Sequence, residues 1–275
     1  MPIALITGGS SGIGTAFADQ LAVEGHDLVL VARGRDQLEK AAARHRARHG
    51  VAVEPLVADL AEPVGRAAVE ARLADPAAPV DVLVNNAGVE IRDEFAEAAL
   101  PALQREIDVN ITAVLRLTHA ALPGMIERGR GSVITVSSFS GFLPPRGSSY
   151  GATKAWAIAF TDTIAASLQG TGVRMTALTP GYVRTNLVAE IHPDAAFRQG
   201  FLIMDAGRAV ARCLADNRRG KVVSAPGIVY RMVSGFIELP RRTLRLGARV
   251  AGRGRTQHTI AGKNAVAGEP RAAGH

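Results

Sequence analysis

Residues 3–14 read IALITGGSSGIG, a short apolar run that leads into a turn with four glycines. The run 3–7 has the length and composition of a buried strand, and an amphipathic stretch follows the turn at about 12–24. Glycines let such a turn bend tightly and approach a ligand, while the N-terminus of the next helix offers unpaired N–H groups to a phosphate. Glycines also serve ordinary tight turns, but this placement favours a dinucleotide site.

The same alternation of apolar runs and helical stretches continues along the chain. Further strands are expected at 27–32, 51–57, 81–86, 132–138, 173–179 and 221–224. Helices are expected at about 35–49, 63–74, 94–128, 150–169 and 205–218. Strands that are almost continuously apolar are buried on both faces, which is typical of a parallel sheet covered by helices. The sequence therefore predicts an α/β fold: a single doubly wound Rossmann-type domain with a parallel seven-stranded sheet.

Composition narrows the class of protein. The chain has 275 residues, of which 47% are apolar, and it contains no apolar run near the length of a membrane span. The N-terminus has no basic region of the kind that opens a signal peptide. The single cysteine, Cys213, excludes an internal disulfide and fits a reducing compartment. We therefore expect a cytoplasmic protein with Cys213 in a helix core.

The net charge of +7 comes from one end of the chain. From Pro240 onward there are eight basic residues and one acid, so residues 1–239 are formally neutral. The neutral part also lacks zinc-finger spacing and RNA-binding aromatic motifs. We expect no nucleic-acid partner.

Residues 148–156 read SSYGATKAW and place Tyr150 and Lys154 four positions apart. In a helix these two side chains share a face. A phenol is a poor proton donor or acceptor at neutral pH, but a neighbouring cation lowers its pKa and makes it a usable acid or base. A surface pair that shares a helix face by chance gives the same spacing, so the rest of the chain has to decide.

Four motifs that follow one another along the chain decide between a chance surface pair and a functional one. They are T-G-x-x-x-G-x-G at 7–14, Asn85-Asn86-Ala87-Gly88 after the fourth strand, Ser138 after the fifth, and Tyr150-x-x-x-Lys154. In this the chain resembles the short-chain dehydrogenase/reductase family from about residue 3 to the Pro180-Gly181 turn, and more loosely to about 227. The resemblance implies an oxidoreductase that transfers hydride between a nicotinamide and a carbonyl or secondary alcohol. A non-catalytic NADP(H)-binding regulator of the same fold is the alternative.

The resemblance also implies roles for four residues. Tyr150 would be the catalytic acid/base, and Lys154 would hold the nicotinamide ribose and lower the pKa of the tyrosine. Ser138 would bind the substrate oxygen, and Asn110 would anchor a water in the proton relay. The family usually leaves twelve residues between serine and tyrosine, whereas Ser138 leaves eleven and Ser137 leaves twelve. We choose Ser138, because a loop shortens at little cost while a shift of one residue turns a strand side chain to the other face. Ser140 is a weaker candidate.

The end of the second strand indicates which cofactor is used. An acid there usually binds the ribose hydroxyls of NAD(H). This chain has alanine at that point and Arg33 directly after it, and an arginine can pair with a 2′-phosphate. NADP(H) is therefore the preferred cofactor and NAD(H) stays open. The resemblance extends the expected cofactor-binding set, beyond Tyr150, Lys154 and Arg33, to Thr7, Gly8, Ser10, Ser11, Gly12, Ile13, Gly14, Asp59, Leu60, Asn86, Ala87, Gly88, Pro180, Gly181, Val183 and Thr185.

The remaining expectations concern substrate, partners and the C-terminal region. A lid at about 186–204, rich in apolar residues, favours a lipophilic carbonyl or alcohol, and the histidines show no spacing that suggests a metal site. The family's association faces imply a homodimer or homotetramer. The catalytic domain is expected to end at 227, followed by a helical extension at 228–250 and a basic, disordered tail at 251–275. We favour an extension that packs on its own subunit or a partner, with peripheral membrane contact as the open alternative.

Overall fold

Seven parallel strands form one sheet in the order β3-β2-β1-β4-β5-β6-β7. The structure is a computed structural model that describes residues 1–143, 147–183, 203–228 and 230–232. The strands are β1 (Ile3–Thr7), β2 (Asp27–Ala32), β3 (Val53–Val57), β4 (Val80–Asn85), β5 (Gly131–Val136), β6 (Val173–Leu178) and β7 (Val223–Ser224). The predicted fold, an α/β domain with a parallel seven-stranded sheet, is confirmed.

Helices cover both faces of this sheet. They are α1 (Gly12–Val23), α2 (Arg35–His49), α3 (Pro63–Ala74), α4 (Leu100–Ile107), α5 (Val114–Glu127), α6 (Tyr150–Ser167) and α7 (Ala206–Arg218). Alternate residues of β1 enter separate cores, because successive side chains of a strand point to opposite faces. Ile6 packs with Phe17 and Leu38 on one face, and Leu5 packs with Leu117 on the other.

The expected helix at 94–128 is wrong in its start and its uniformity. Residues 94–99 contain no regular helix, and α4 begins at Leu100 with Pro101 in its first turn, where a missing N–H costs no hydrogen bond. A π-helix, Asp108–Ala113, then joins α4 to α5. Such wider turns occur often at functional sites, and this one contains Asn110. The other predicted bounds differ by a few residues; β7 is the shortest strand.

The C-terminal part of the domain is described as far as residue 232. Helix α7 packs beside β6 and β7 and contains Cys213, which is fully buried in the core. Burial raises the pKa of the Cys213 thiol, and the charge of Asp216 acts in the same direction. Chain contacts divide the molecule at Arg231, and nearly all described residues belong to the unit Met1–Arg231. The predicted lid, apart from Ile203 and Met204, and nearly all of the predicted extension and tail lie outside the described residues. No helix in the described segments is long and apolar enough to span a membrane.

Candidate active site

The glycine-rich turn packs directly on the first turn of α1. Gly8 has a φ of +65°, a left-handed conformation that favours glycine, and its N–H donates to Val31 O at 2.8 Å. A Cβ on Gly14 would lie 2.2 Å from Gly8 O, so no other residue fits there without movement. The first turn of α1 has no acidic residue, and the Ser11 side chain makes no capping hydrogen bond. Ser10 and the N-cap Ser11 thus lead into a helix that begins with Gly12 and Ile13, and the N–H groups and positive end of this helix suit a phosphate.

Side chains at the ends of β1 and β4 lock these strands together. The Thr7 hydroxyl accepts hydrogen bonds from the N–H groups of Asn86 (2.9 Å) and Ala87 (3.0 Å). The Asn86 amide donates to Thr7 O at 2.8 Å. Next along the chain, a Cβ on Gly88 would lie 3.3 Å from Lys154 Nζ. The predicted residues Thr7, Asn86, Ala87 and Gly88 therefore form one wall of the site, where the side chains of Thr7 and Asn86 are already engaged within the protein.

At the ends of β2 and β3 the structure brings Arg33 near Asp59. Arg33 is exposed, while Leu60, beside Asp59, is buried. The Asp59 carboxylate pairs with Arg105 Nη2 at 2.7 Å and accepts the Ala61 N–H at 3.0 Å. Burial alone would raise the pKa of Asp59, but these hydrogen bonds and the charges of Arg105 and Arg33 hold it below its usual range. Asp59 is therefore a paired carboxylate, and Arg105 is a neighbour that sequence reasoning missed.

Lys154 is buried, with its ammonium 5.4 Å from the centroid of the Tyr150 ring. Its Nζ donates to Val136 O, the last carbonyl of β5, at 3.0 Å. Burial lowers the pKa of Lys154 to about 8, while the negative charges of Glu106 and Glu90 oppose that change. The structure thus places the predicted phenol and ammonium together at the carboxyl end of the sheet.

Tyr150 is half-buried, and its pKa moves opposite to the sequence-based expectation. Burial is the main cause and raises the pKa of the phenol. The charges of Glu90 and Glu106 raise it further, and the neighbouring Ser138 hydroxyl lowers it. Besides burial, two carboxylates near the phenol, neither of which the sequence pattern indicated, raise the pKa of Tyr150 instead of lowering it.

The serines near the end of β5 point to different partners. Ser138 caps a short 3₁₀ helix, Phe139–Gly141, by accepting the Ser140 N–H at 3.2 Å, and its hydroxyl lies near enough to Tyr150 to lower the pKa of the phenol. Ser137 is buried, and its hydroxyl donates to Lys154 O at 2.7 Å. The Ser140 hydroxyl is also buried and makes no hydrogen bond among the described residues. Of the three serines, the geometry favours Ser138 as the partner of Tyr150.

Asn110 lies in the π-helix and is buried against the loop after β4. Its amide nitrogen donates to Val89 O at 2.8 Å and to Thr153 Oγ1 at 3.0 Å, and its oxygen accepts the Val89 N–H at 3.0 Å. Thr153 belongs to the first turn of α6, one residue before Lys154. Asn110 therefore connects the loop after β4 to the helix that carries the Tyr150–Lys154 pair.

The turn after β6 closes the described part of the site. Pro180 O accepts the Phe139 N–H at 2.8 Å, and the Tyr230 ring packs over Gly181 so closely that a Cβ would lie 1.9 Å from the ring. Val183 is buried and forms an isolated bridge with Met204. Thr185 lies outside the described residues.

Two features escaped the sequence analysis because each depends on residues that the fold brings together. Glu90 and Glu106 read as surface acids in sequence, but Glu90 is half-buried and Glu106 is fully buried near Tyr150. On α1 and α2, Asp19 Oδ1 lies 3.2 Å from His45 Nδ1 and 3.0 Å from His49 Nε2. The four-residue spacing of His45 and His49 places both on one face of α2, and this was the overlooked sign that they could meet a common partner. That partner, Asp19, comes from α1, so the sequence pattern could not indicate it.

Comparison with known proteins shows which family the chain is related to. Residues 2–196 match the family model for the short chain dehydrogenase. The ketoacyl reductase HetN of Nostoc sp. is 36% identical over 180 residues, which are 65% of this chain and 62% of HetN. The chain thus spans less than two thirds of that relative's length.

Solved structures show the same relationship in three dimensions. A short-chain dehydrogenase from Sphingobium yanoikuyae in complex with NADPH is 32% identical, with a TM-score of 0.76, and the match covers 100% of this chain and 99% of that one. The bulky-bulky ketone specific alcohol dehydrogenase from Comamonas testosteroni is 31% identical, with a TM-score of 0.78, covering 89% of this chain and 94% of that one. On the family match, the sequence motifs and the fold, this chain belongs to the short-chain dehydrogenase/reductase family of oxidoreductases.

Proposed function

We propose that the protein is an NADP(H)-dependent oxidoreductase that interconverts a carbonyl and a secondary alcohol, with Tyr150 as the acid/base. The observation that carries the proposal is the grouping of Tyr150, Lys154 and Ser138. A buried ammonium lies 5.4 Å from the centroid of the phenol ring, and the neighbouring Ser138 hydroxyl lowers the pKa of the phenol. A protein that only bound a nucleotide would have no need of this proton-transfer group.

The glycine-rich turn and Arg33 support the cofactor assignment. Gly14 lets the start of α1 pack directly on Gly8, since a Cβ there would meet Gly8 O at 2.2 Å, and this close packing places the helix N-terminus where a pyrophosphate binds in this fold. The exposed Arg33 guanidinium lies at the end of β2, where it can form a charge-assisted pair with a 2′-phosphate. The NADPH bound to the Sphingobium relative agrees with this choice. The residues present therefore fit NADP(H).

The protein's own groups would handle the proton. The bound nicotinamide would supply or accept the hydride. In reduction, the Ser138 hydroxyl donates a hydrogen bond to the substrate oxygen and stabilises the charge that develops there. The Tyr150 hydroxyl gives its proton to the same oxygen, so that a C=O gains hydride and proton and becomes CH–OH. Lys154 holds the ribose hydroxyls beside the phenol, and Asn110 fixes the loop and helix between which a relay water would sit. Oxidation runs the same transfers in reverse.

For the substrate we propose a lipophilic ketone or secondary alcohol. The apolar composition of the 186–204 segment supports it, as does the bulky-ketone specificity in the name of the Comamonas relative. The test is consumption of NADPH, and of NADH in parallel, with a panel running from bulky ketones to small polyhydroxylated carbonyls. Turnover with bulky ketones supports the proposal, whereas tight NADPH binding without turnover of any carbonyl or alcohol would indicate the regulator.

The exposed apolar side chains of α5 and α6 bear on the oligomeric state of the protein. We propose a homodimer or homotetramer, since Leu115 and Ile126 on α5 are exposed at 45% and 42% and Trp156 stacks on Phe160 along α6. Long helices with such apolar surface are the faces by which the family associates. A cytoplasmic location and a C-terminal extension that packs on protein rather than membrane are proposed with it.

Arg33→Ala is expected to weaken NADPH binding about tenfold or more, because a charge-assisted pair with the 2′-phosphate is lost. NADH binding should change little, which makes NADH the control ligand for the same variant. Arg33→Lys keeps the charge but loses the planar fork, so it should recover part of the affinity. Fluorescence titration with both cofactors measures this, and equal losses for the two would reject the 2′-phosphate assignment.

Ser138→Ala and Ser137→Ala should separate chemistry from stability. We expect Ser138→Ala to lower kcat by about a hundredfold, as loss of a donor to a developing oxyanion does, with little change in stability. Ser137→Ala removes a buried hydrogen bond to Lys154 O, so it should lose about 1 kcal/mol of unfolding free energy with a smaller fall in kcat. Steady-state kinetics and urea unfolding of both variants, made side by side, decide the register. The reverse pattern would assign the role to Ser137.

A further inference from the structure

Glu106 is a fully buried carboxylate on α4 with a donor at each oxygen. Its Oε1 accepts the Ile91 N–H at 3.0 Å, and its Oε2 accepts a hydrogen bond from the Ser149 hydroxyl. A carboxylate is retained in a buried position only when such bonds replace its water, and hydrogen bonds to a charged acceptor are the strong ones. Glu106 therefore clamps two segments that are distant in sequence: the loop after β4 and the residue that precedes Tyr150.

A second bridge supports the same contact. The Ser148 hydroxyl donates to Ile91 O at 2.9 Å and accepts the Tyr150 N–H at 3.2 Å. The Ile91 backbone is thus held twice, through its N–H by Glu106 on α4 and through its C=O by Ser148 just before α6. Asn110 holds Val89 in the same way, through its N–H and its C=O. Glu90 lies between these two anchored residues, which fixes the backbone that carries a second acid toward Tyr150 and Lys154.

We propose that Glu106 is a positioning residue, which orients the first turn of α6 and supplies a fixed negative charge beside the Tyr150–Lys154 pair. The proposal rests on the proposed oxidoreductase function for its catalytic meaning but not for its structural part. The charged groups that face the pair are Glu90 and Glu106, and Arg92 acts on Glu90. Among them, Glu106 makes hydrogen bonds both to the loop after β4 and to the start of α6.

The negative charge of Glu106 changes the pKa values of Tyr150 and Lys154 in a known direction. The Glu106 carboxylate raises the pKa of Tyr150 and also that of Lys154. Removing the charge while keeping the shape, in Glu106→Gln, should lower both pKa values. In the oxidation direction the rate rises with pH as Tyr150 loses its proton, so the rising part of the kcat/KM profile should move to lower pH by about one unit. Loss of packing alone would reduce the rate at every pH without moving the profile.

The experiment compares Glu106→Gln with two controls on the full chain. Glu97→Gln makes the same chemical change at an exposed glutamate and should leave the profile in place. Ser149→Ala removes one hydrogen bond to Glu106 but not the charge, so it should lower kcat without shifting the profile. A Glu106→Gln profile that coincides with that of the wild type overturns the proposal.

Amide hydrogen exchange gives a readout that does not depend on turnover. In Glu106→Gln, peptides covering 89–91 and 148–153 should exchange about tenfold faster than in Glu97→Gln, the factor that corresponds to one lost hydrogen bond to a charged group. Unchanged exchange overturns the proposal. If the wild type turns over no carbonyl or alcohol, the proposed function fails and the exchange result alone decides the role of Glu106. If the wild type is active and Glu106→Gln behaves like Glu97→Gln, only this inference fails.

Discussion

Tyr150→Phe is expected to lower kcat by about a thousandfold, because general acid–base catalysis of this kind contributes factors of that order. Phenylalanine keeps the ring that lies 5.4 Å from Lys154 Nζ but has no proton to give. The measurement is kcat for NADPH-dependent reduction of the best carbonyl found in the panel.

The control for Tyr150→Phe is the cofactor itself. NADPH affinity and the melting temperature should stay near the wild-type values, since neither the glycine-rich turn nor Arg33 is touched. A variant that keeps more than a few per cent of the activity would show that another group transfers the proton. A variant that also loses NADPH affinity would mean that the phenol contributes to binding as well as to chemistry.

Gly14→Ala is expected to damage both stability and cofactor binding. The new Cβ would meet Gly8 O at 2.2 Å and Asn86 Nδ2 at 2.7 Å, so the start of α1 has to move away from the turn and from the end of β4. Overpacking of this kind lowers the unfolding free energy by about 1–3 kcal/mol. Displacement of the helix N-terminus should weaken NADPH binding by about tenfold or more, because its N–H groups would no longer point at the pyrophosphate.

Gly124→Ala provides the matched control. Gly124 lies inside α5, and the nearest atom to its Cβ would be Arg128 Nη1 at 3.0 Å, the end of a flexible side chain. Alanine in a helix interior is favoured over glycine by about 1 kcal/mol, so this variant should be as stable as the wild type or slightly more so. Urea unfolding and NADPH titration of both variants test the comparison. Equal behaviour of the two would show that the turn adjusts freely to a methyl group at Gly14.

The sequence was sufficient for the fold because most strands are apolar over most of their length and are separated by helical stretches of ordinary length. It indicated Tyr150, Lys154, Ser138 and Asn110 because the motifs that contain them resemble those of the short-chain dehydrogenase/reductase family. The prediction of a single helix over 94–128 was wrong in two ways. The apolar pattern includes residues 94–99, which lie before the start of α4, and it does not indicate the π-helix around Asn110. Periodicity detects a helix face but not a local change in the number of residues per turn.

The electrostatic character of the site was beyond the sequence for a different reason. The local sequence presents Glu106 as a polar residue of an amphipathic helix, and its burial depends on Ile91 and Ser149, which lie far away in the chain. The same holds for Arg105, which pairs with Asp59 across 46 residues. The expected lowering of the pKa of Tyr150 considered only Lys154, four residues along α6, and missed the two acids that face the phenol from other elements.

The buried thiol of Cys213 provides a built-in probe of local unfolding around α7. It is the only thiol in the chain and is fully enclosed on α7, and its raised pKa keeps it from forming a thiolate. A disulfide reagent can therefore reach it only when α7 separates from the sheet, and the labelling rate reports how often this happens. For the same reason, a cysteine introduced at an exposed position such as Val64 can carry a spectroscopic label while the native cysteine stays in place.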